Sequence, residues 1–91
     1  MFNKLKQLKD LRSTAKTMQN ALSEERVTEE RGGVKIVMNG NMEILSVSIG
    51  EGLSKDATEN GFKACTNEII KKAQRLMAKK LQDMGGFPGL N

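Results

Sequence analysis

The sequence predicts an α+β protein: a helix, a two- to three-stranded antiparallel sheet, and a long second helix, an αβββα-like order with the helices projecting from the sheet as arms. Three observations predict it. Residues 2–25 and 62–84 hold no glycine or proline and carry apolar residues at helical spacing. Residues 34–49, "VKIVMNGNMEILSVSI", are rich in β-branched side chains and alternate in polarity toward their end. Glycines at 32, 33, 50 and 52 bracket that stretch.

In the first helix, Leu8, Leu11, Ala15, Met18 and Leu22 recur at spacings of 3, 4, 3 and 4, and Phe2 and Leu5 extend the stripe. This is the narrow seam of a helix packed on another helix. It covers barely two heptads, too little for a free-standing coiled coil. "VTEER" is a candidate short edge strand before Gly32–Gly33 breaks the chain. "VKIVMN" is a strand, and Asn39–Gly40 signals a tight hairpin because both residues tolerate positive φ. In the return strand Leu45, Val47 and Ile49 share one face and Ser46 and Ser48 the other, so one sheet face is expected to be buried.

Ser54 can cap the second helix, with Asp56 and Glu59 in its first turn complementing the dipole. Gly61 weakens that turn by about 1 kcal/mol relative to Ala. It marks either a close backbone contact or a later helix start. Phe62, Cys65, Ile69, Ala73 and Leu76, extended by Met77, Leu81 and Met84, form the apolar stripe. "GGFPGLN" reads as a flexible tail over 85–91, which leaves 1–84 as a single domain.

Composition narrows the function. A chain of 91 residues allows one small domain, and small folds often gain burial by oligomerising. The only aromatics are three Phe, which argues against an aromatic platform for stacking bases. Cys65 is the only cysteine and there is no His, so an intramolecular disulfide is impossible and a buried, inert thiol is expected. No acid, base and nucleophile constellation, metal-ligand cluster or phosphate loop is present. The expectation is no enzyme, no cofactor, no metal and no small-molecule substrate. Apolar runs are far shorter than the roughly 20 residues of a membrane span, and no secretory signal stands at the start. A cytoplasmic protein is expected.

The net charge of +4 conceals a division. Residues 1–16 carry Lys4, Lys6, Lys9, Arg12 and Lys16 against Asp10, for +4. Residues 63–80 carry Lys63, Lys71, Lys72, Arg75, Lys79 and Lys80 against Glu68, for +5. Residues 17–62 are acidic at −4. The first helix ends at the sheet and the second begins there. Residues 1–16 and 71–84 are therefore expected to point away from it as antiparallel neighbours. About 22 helical residues reach roughly 33 Å. An arm of that length and sign suits a nucleic-acid backbone. Lysine-rich helix faces are also ordinary solvated surface.

The chain resembles the YbaB/EbfC family of bacterial nucleoid-associated DNA-binding proteins over nearly its whole length. "MFNKLKQL" with "AKTMQ" at 15–19 is similar to the family's lysine-rich opening helix. "GGVKIVMNG" and the closing "VSI" resemble its G-x-V-x-V-x-x-N-G hairpin. "ACTNEIIKKA" at 64–73 and "FPGL" near the end resemble its second helix and Pro-Gly tail. One departure is Gly50–Glu51–Gly52, where the family often has an Asp-Pro turn. The resemblance implies a homodimer whose strands form a shared layer, with helical arms projecting like tweezers. It also implies double-stranded DNA binding, nucleoid association and influence on gene expression.

On that basis the hairpin is the expected dimer joint, through Val34, Ile36, Met38, Leu45, Val47 and Ile49. The expected DNA contacts are Lys4, Lys6, Lys9, Arg12 and Lys16 from the first helix and Lys71, Lys72, Arg75, Lys79 and Lys80 from the second. Such contacts position a protein on DNA without reading sequence, and nothing identifies a base-reading element. The alternatives are a helical module that clasps a recombination or repair partner, and RNA binding through the same arms.

Overall fold

A computed structural model of the chain describes residues 4–83, with side chains from residue 7 onward. The order is helix α1 (Lys4–Ser23), strands β1 (Arg26–Arg31), β2 (Val34–Asn39) and β3 (Ile44–Ile49), and helix α2 (Lys55–Asp83). The strands form one antiparallel sheet in the order β1-β2-β3, so "VTEER" lies in a true edge strand. The molecule is elongated, 66 × 19 × 18 Å along its principal axes. The proposed tail at 85–91 and Met84 lie outside the described residues.

Side-chain alternation puts Val34, Ile36 and Met38 on one face of β2, and α2 buries all three. Cys65, Ile69 and Ala73 meet them from the helix, at the spacing of 4 that keeps residues on one helix face. Burying side chains such as Ile36 and Ile69 stabilises the fold by about 1.5–3 kcal/mol each. Val27 and Ile70 close the margins of this core.

The start of α2 matches its sequence signals. The Ser54 hydroxyl accepts the Ala57 N–H at 3.0 Å, and the Ser54 carbonyl accepts the Thr58 N–H at 2.9 Å. The helix begins at Lys55, so Gly61 marks a close approach and not a later start. A methyl group on Gly61 would stand 3.0 Å from Gly32 O and from Val34 Cγ2. The missing Cβ lets α2 lie directly on the β1–β2 turn, where Gly32 and Gly33 adopt φ of 58° and 82°.

The β2–β3 connection differs from the tight Asn39–Gly40 turn that the sequence suggests. Residues 40–43 join the strands, and the positive φ falls on Met42, at 63°. Asn39 is buried and organises the loop. Its Oδ1 accepts the N–H groups of Asn41 and Glu43 at 2.9 and 3.1 Å, and its Nδ2 donates to Glu43 Oε1 at 2.9 Å. Gly40 is required by contact, not by its dihedral. A Cβ there would meet Leu22 O at 2.7 Å.

The expectation that the second helix points away from the sheet from residue 71 onward holds only in part. The buried residues of α2 run from Gly61 to Ala73, a span of about 18 Å, and a six-residue strand is about 20 Å long. The first two-thirds of α2 therefore covers the sheet, and residues 71–73 lie above it. Only the last turns pass the sheet, where Met77, Ala78 and Leu81 face Ala15, Met18 and Leu22 of α1. Beyond that contact α1 continues with Leu11 and Leu8 exposed.

Candidate nucleic-acid interface

The projecting half of α1, residues 4–14, is about 16 Å long. Lys9, Arg12 and Lys16 are spaced 3 and 4 apart, so they form one row along the helix. All three are exposed, and among the described residues none enters an ion pair. Lys4 and Lys6 belong to the same helix, but their side chains lie outside the described residues.

The basic residues of α2 divide into two groups. Lys71, Arg75 and Lys79 follow a spacing of 4 and are exposed. Lys71 sits 3.9 Å from Glu68, and among the described residues Arg75 and Lys79 make no ion pair. Lys72 and Lys80 are bound into the fold. Lys72 Nζ lies 3.1 Å from Glu29 Oε2 and donates to the Thr28 carbonyl at 2.9 Å. Lys80 Nζ lies 2.8 Å from Glu25 Oε1.

The electrostatics follow the geometry. The Lys72 hydrogen bond, with the charges of Lys72 and Arg31, holds the Glu29 carboxyl below its ordinary range, against a smaller opposing effect of burial. The Glu25 carboxylate, first by its hydrogen bond and then by its charge, raises the Lys80 ammonium above its ordinary value. Both lysines already hold an anion, so a phosphate would have to displace a carboxylate to gain them. The α1 row has no such competitor among the described residues.

The six residues expected at a dimer joint also divide. Val34, Ile36 and Met38 are 0%, 0% and 2% exposed, already enclosed by the chain's own α2. Leu45, Val47 and Ile49 are open at 46%, 43% and 52%. Val47 pairs with Ile36 and Ile49 with Val34, so these two stand on the face that α2 covers over β1 and β2 but not over β3. A register shift at Val37/Met38 leaves Leu45 as the extra residue and brings Ile44 opposite Met38. Ile44, 47% exposed, therefore joins Val47 and Ile49. Strict alternation counted from Leu45 missed it, because a bulge shifts the count by one. Phe62, counted in the apolar stripe of the second helix, is instead exposed, because α2 is centred over β1 and β2.

Cys65 is fully buried and its Sγ donates to the Glu29 carbonyl at 3.2 Å, so it is a packing residue. Among the described residues no group of three His, Cys, Asp or Glu side chains is placed to hold a metal. No described helix is long and apolar enough to cross a membrane.

The chain is similar in sequence to bacterial nucleoid-associated proteins. A nucleoid-associated protein of Caldanaerobacter subterraneus subsp. tengcongensis is 33% identical, over 97% of this chain and 87% of the relative. One from Pelotomaculum thermopropionicum is 31% identical, over 99% and 94%. One from Syntrophobacter fumaroxidans is 29% identical, over 98% and 89%. The sequence pattern of the YbaB/EbfC DNA-binding family matches residues 1–87, and the chain belongs to that family.

Proposed function

We propose that this protein is a nucleoid-associated, double-stranded DNA-binding homodimer that grips the duplex backbone through its α1 arms and thereby influences nucleoid organisation and gene expression. The observation that carries the reading is the exposed row Lys9, Arg12 and Lys16 on a helix that projects past the rest of the described fold. Phosphate contacts from such a row supply affinity without sequence selection. Arg75 and Lys79 add to it from the end of α2. Lys71, Lys72 and Lys80 contribute less, because each already has a carboxylate within 4 Å.

The dimer forms through β3. Among the described residues its outer edge has no partner strand, and Ile44, Val47 and Ile49 leave an apolar strip beside it. Antiparallel pairing of β3 with its copy about a two-fold axis joins the two sheets edge to edge. Two positive arms are then held at a fixed separation. The names of the relatives and the family's DNA-binding designation support the nucleoid DNA-binding part of this reading.

The test is fluorescence anisotropy with a random-sequence duplex of about 30 base pairs across a salt series. The variant Arg12→Glu, Lys16→Glu is compared with Lys72→Glu, Lys80→Glu. Each phosphate contact removed should lower the salt slope by about 1. The α1 variant is expected to flatten the slope more than the α2 variant. An unchanged slope in the α1 variant removes the arm from the interface. Tighter binding to an RNA duplex at equal salt moves the assignment to RNA.

A further inference from the structure

We propose that the β2–β3 turn, through Gly40 and Asn41, is a positioning site that aims the α1 arm at the DNA. The inference rests on the duplex-binding reading above and adds residues that carry no charge and touch no phosphate.

The root of α1 is held by this turn through two backbone carbonyls. The Gly40 N–H donates to Leu22 O at 2.9 Å, and Asn41 Nδ2 donates to Gln19 O at 3.0 Å. Leu22 and Gln19 are almost one helical turn apart, so together they fix a direction and not just a point. Packing does less. Between α1 and the end of α2 lies an open apolar groove of about 330 Å³, lined by Met18, Leu22, Met77 and Leu81 among others. Loosely filled apolar contacts resist tilting weakly, because contact energy declines with small gaps. The turn itself is stiff, since the buried Asn39 holds Asn41 and Glu43 through both ends of its side-chain amide.

The lever is long. Gln19 to Lys9 is about 15 Å of helix, so a 20° tilt at the root moves Lys9 by about 5 Å. Successive phosphates on one strand are about 3.4 Å apart along the axis. Loss of the clamp would take the row out of register with the backbone it grips.

The experiment is a double-mutant cycle in duplex affinity, with the angle of α1 read separately. Asn41→Ala is measured in the intact chain and in the Arg12→Gln, Lys16→Gln background. It is expected to weaken binding about 3- to 10-fold in the first and less than about 2-fold in the second, because positioning matters only when the row has charge. Gly40→Ala should act in the same direction and more strongly, and Asn41→Ala keeps the test open if that variant fails to fold. Residual dipolar couplings of the α1 amides, compared with those of the sheet, should report a changed or averaged orientation in Asn41→Ala while the sheet couplings persist. Equal losses in both backgrounds, no loss in the intact chain, or unchanged α1 couplings each overturn the positioning role. Unchanged affinity in Arg12→Gln, Lys16→Gln alone removes the row from duplex binding, and the positioning role falls with it.

Discussion

β1 and β3 are the two edges of one three-stranded sheet, and they are finished in opposite ways. β1 carries Arg26, Glu29, Glu30 and Arg31 in six residues. α2 lies over it, Lys72 reaches its Thr28 carbonyl, and Cys65 reaches its Glu29 carbonyl. Charge and a covering helix are the usual means of stopping an edge from recruiting another strand. β3 has neither. Its sequence, ILSVSI, is uncharged, every residue is exposed, and α2 does not cover it. A sheet blunted on one edge alone supports pairing through the other.

The largest expected effect breaks this contrast directly. Val47→Asp places a charge on the β3 strip and should convert a dimer into a folded monomer, read as a halved mass by light scattering at unchanged helical signal. Thr28→Asp on β1 should leave the mass unchanged. A stable dimer carrying Val47→Asp removes β3 as the joint. A smaller effect concerns what each side chain buries. Ile36→Ala opens the core under α2 and should lower unfolding stability by about 2–5 kcal/mol. Val47→Ala, on its exposed cross-strand partner, should change the stability of the monomeric state by less than about 1 kcal/mol. Urea titration of both at protein concentrations low enough to keep the chain monomeric checks the difference. Similar losses would mean that β3 is packed like β2.

The elements behind this contrast were legible in the sequence. The glycine- and proline-free runs located both helices, and β-branched alternation located β2 and β3. The division of charge marked both helix ends, residues 1–16 and 63–80, as basic, and did not single out α1. What could not be read was coverage. Val34, Ile36 and Met38 look like Leu45, Val47 and Ile49 in composition, and only the docking of α2 over β1 and β2 decides which set is enclosed. The same holds for Lys72 and Lys80. A strand advances about twice as far per residue as a helix, so α2 needs some twelve residues to cross the sheet, and these lysines meet Glu29 and Glu25 before reaching any tip. Leu45 was misplaced by a bulge, which period-2 reasoning does not detect. Gly40 was read as a dihedral requirement when its reason is the Leu22 carbonyl of another element.

The smallest expected effect sharpens the β1 side. The Glu29 carboxylate accepts from Lys72 and lies 3.5 Å from Arg31, and its side chain is 12% exposed. These partners lower its proton affinity in the folded protein. A depressed carboxyl stabilises the fold above its unfolded value and loses that contribution as pH falls through the folded value. The β1 clamp should therefore weaken below pH about 4.5, the ordinary glutamate value. Glu29→Gln already lacks the charge. Its stability deficit against the natural chain, measured as a urea midpoint, should be greatest near neutrality and shrink as the pH falls toward 3. Lys80 runs the other way: its raised affinity adds stability below the ordinary lysine value of 10.5 and loses it only as pH rises through the folded value. β3 holds no titratable side chain, so the Val47→Ala deficit should not vary in parallel over the acid range. A Glu29→Gln deficit that stays constant from pH 7 to pH 3 would mean that packing, not the ion pair with Lys72, protects the β1 edge.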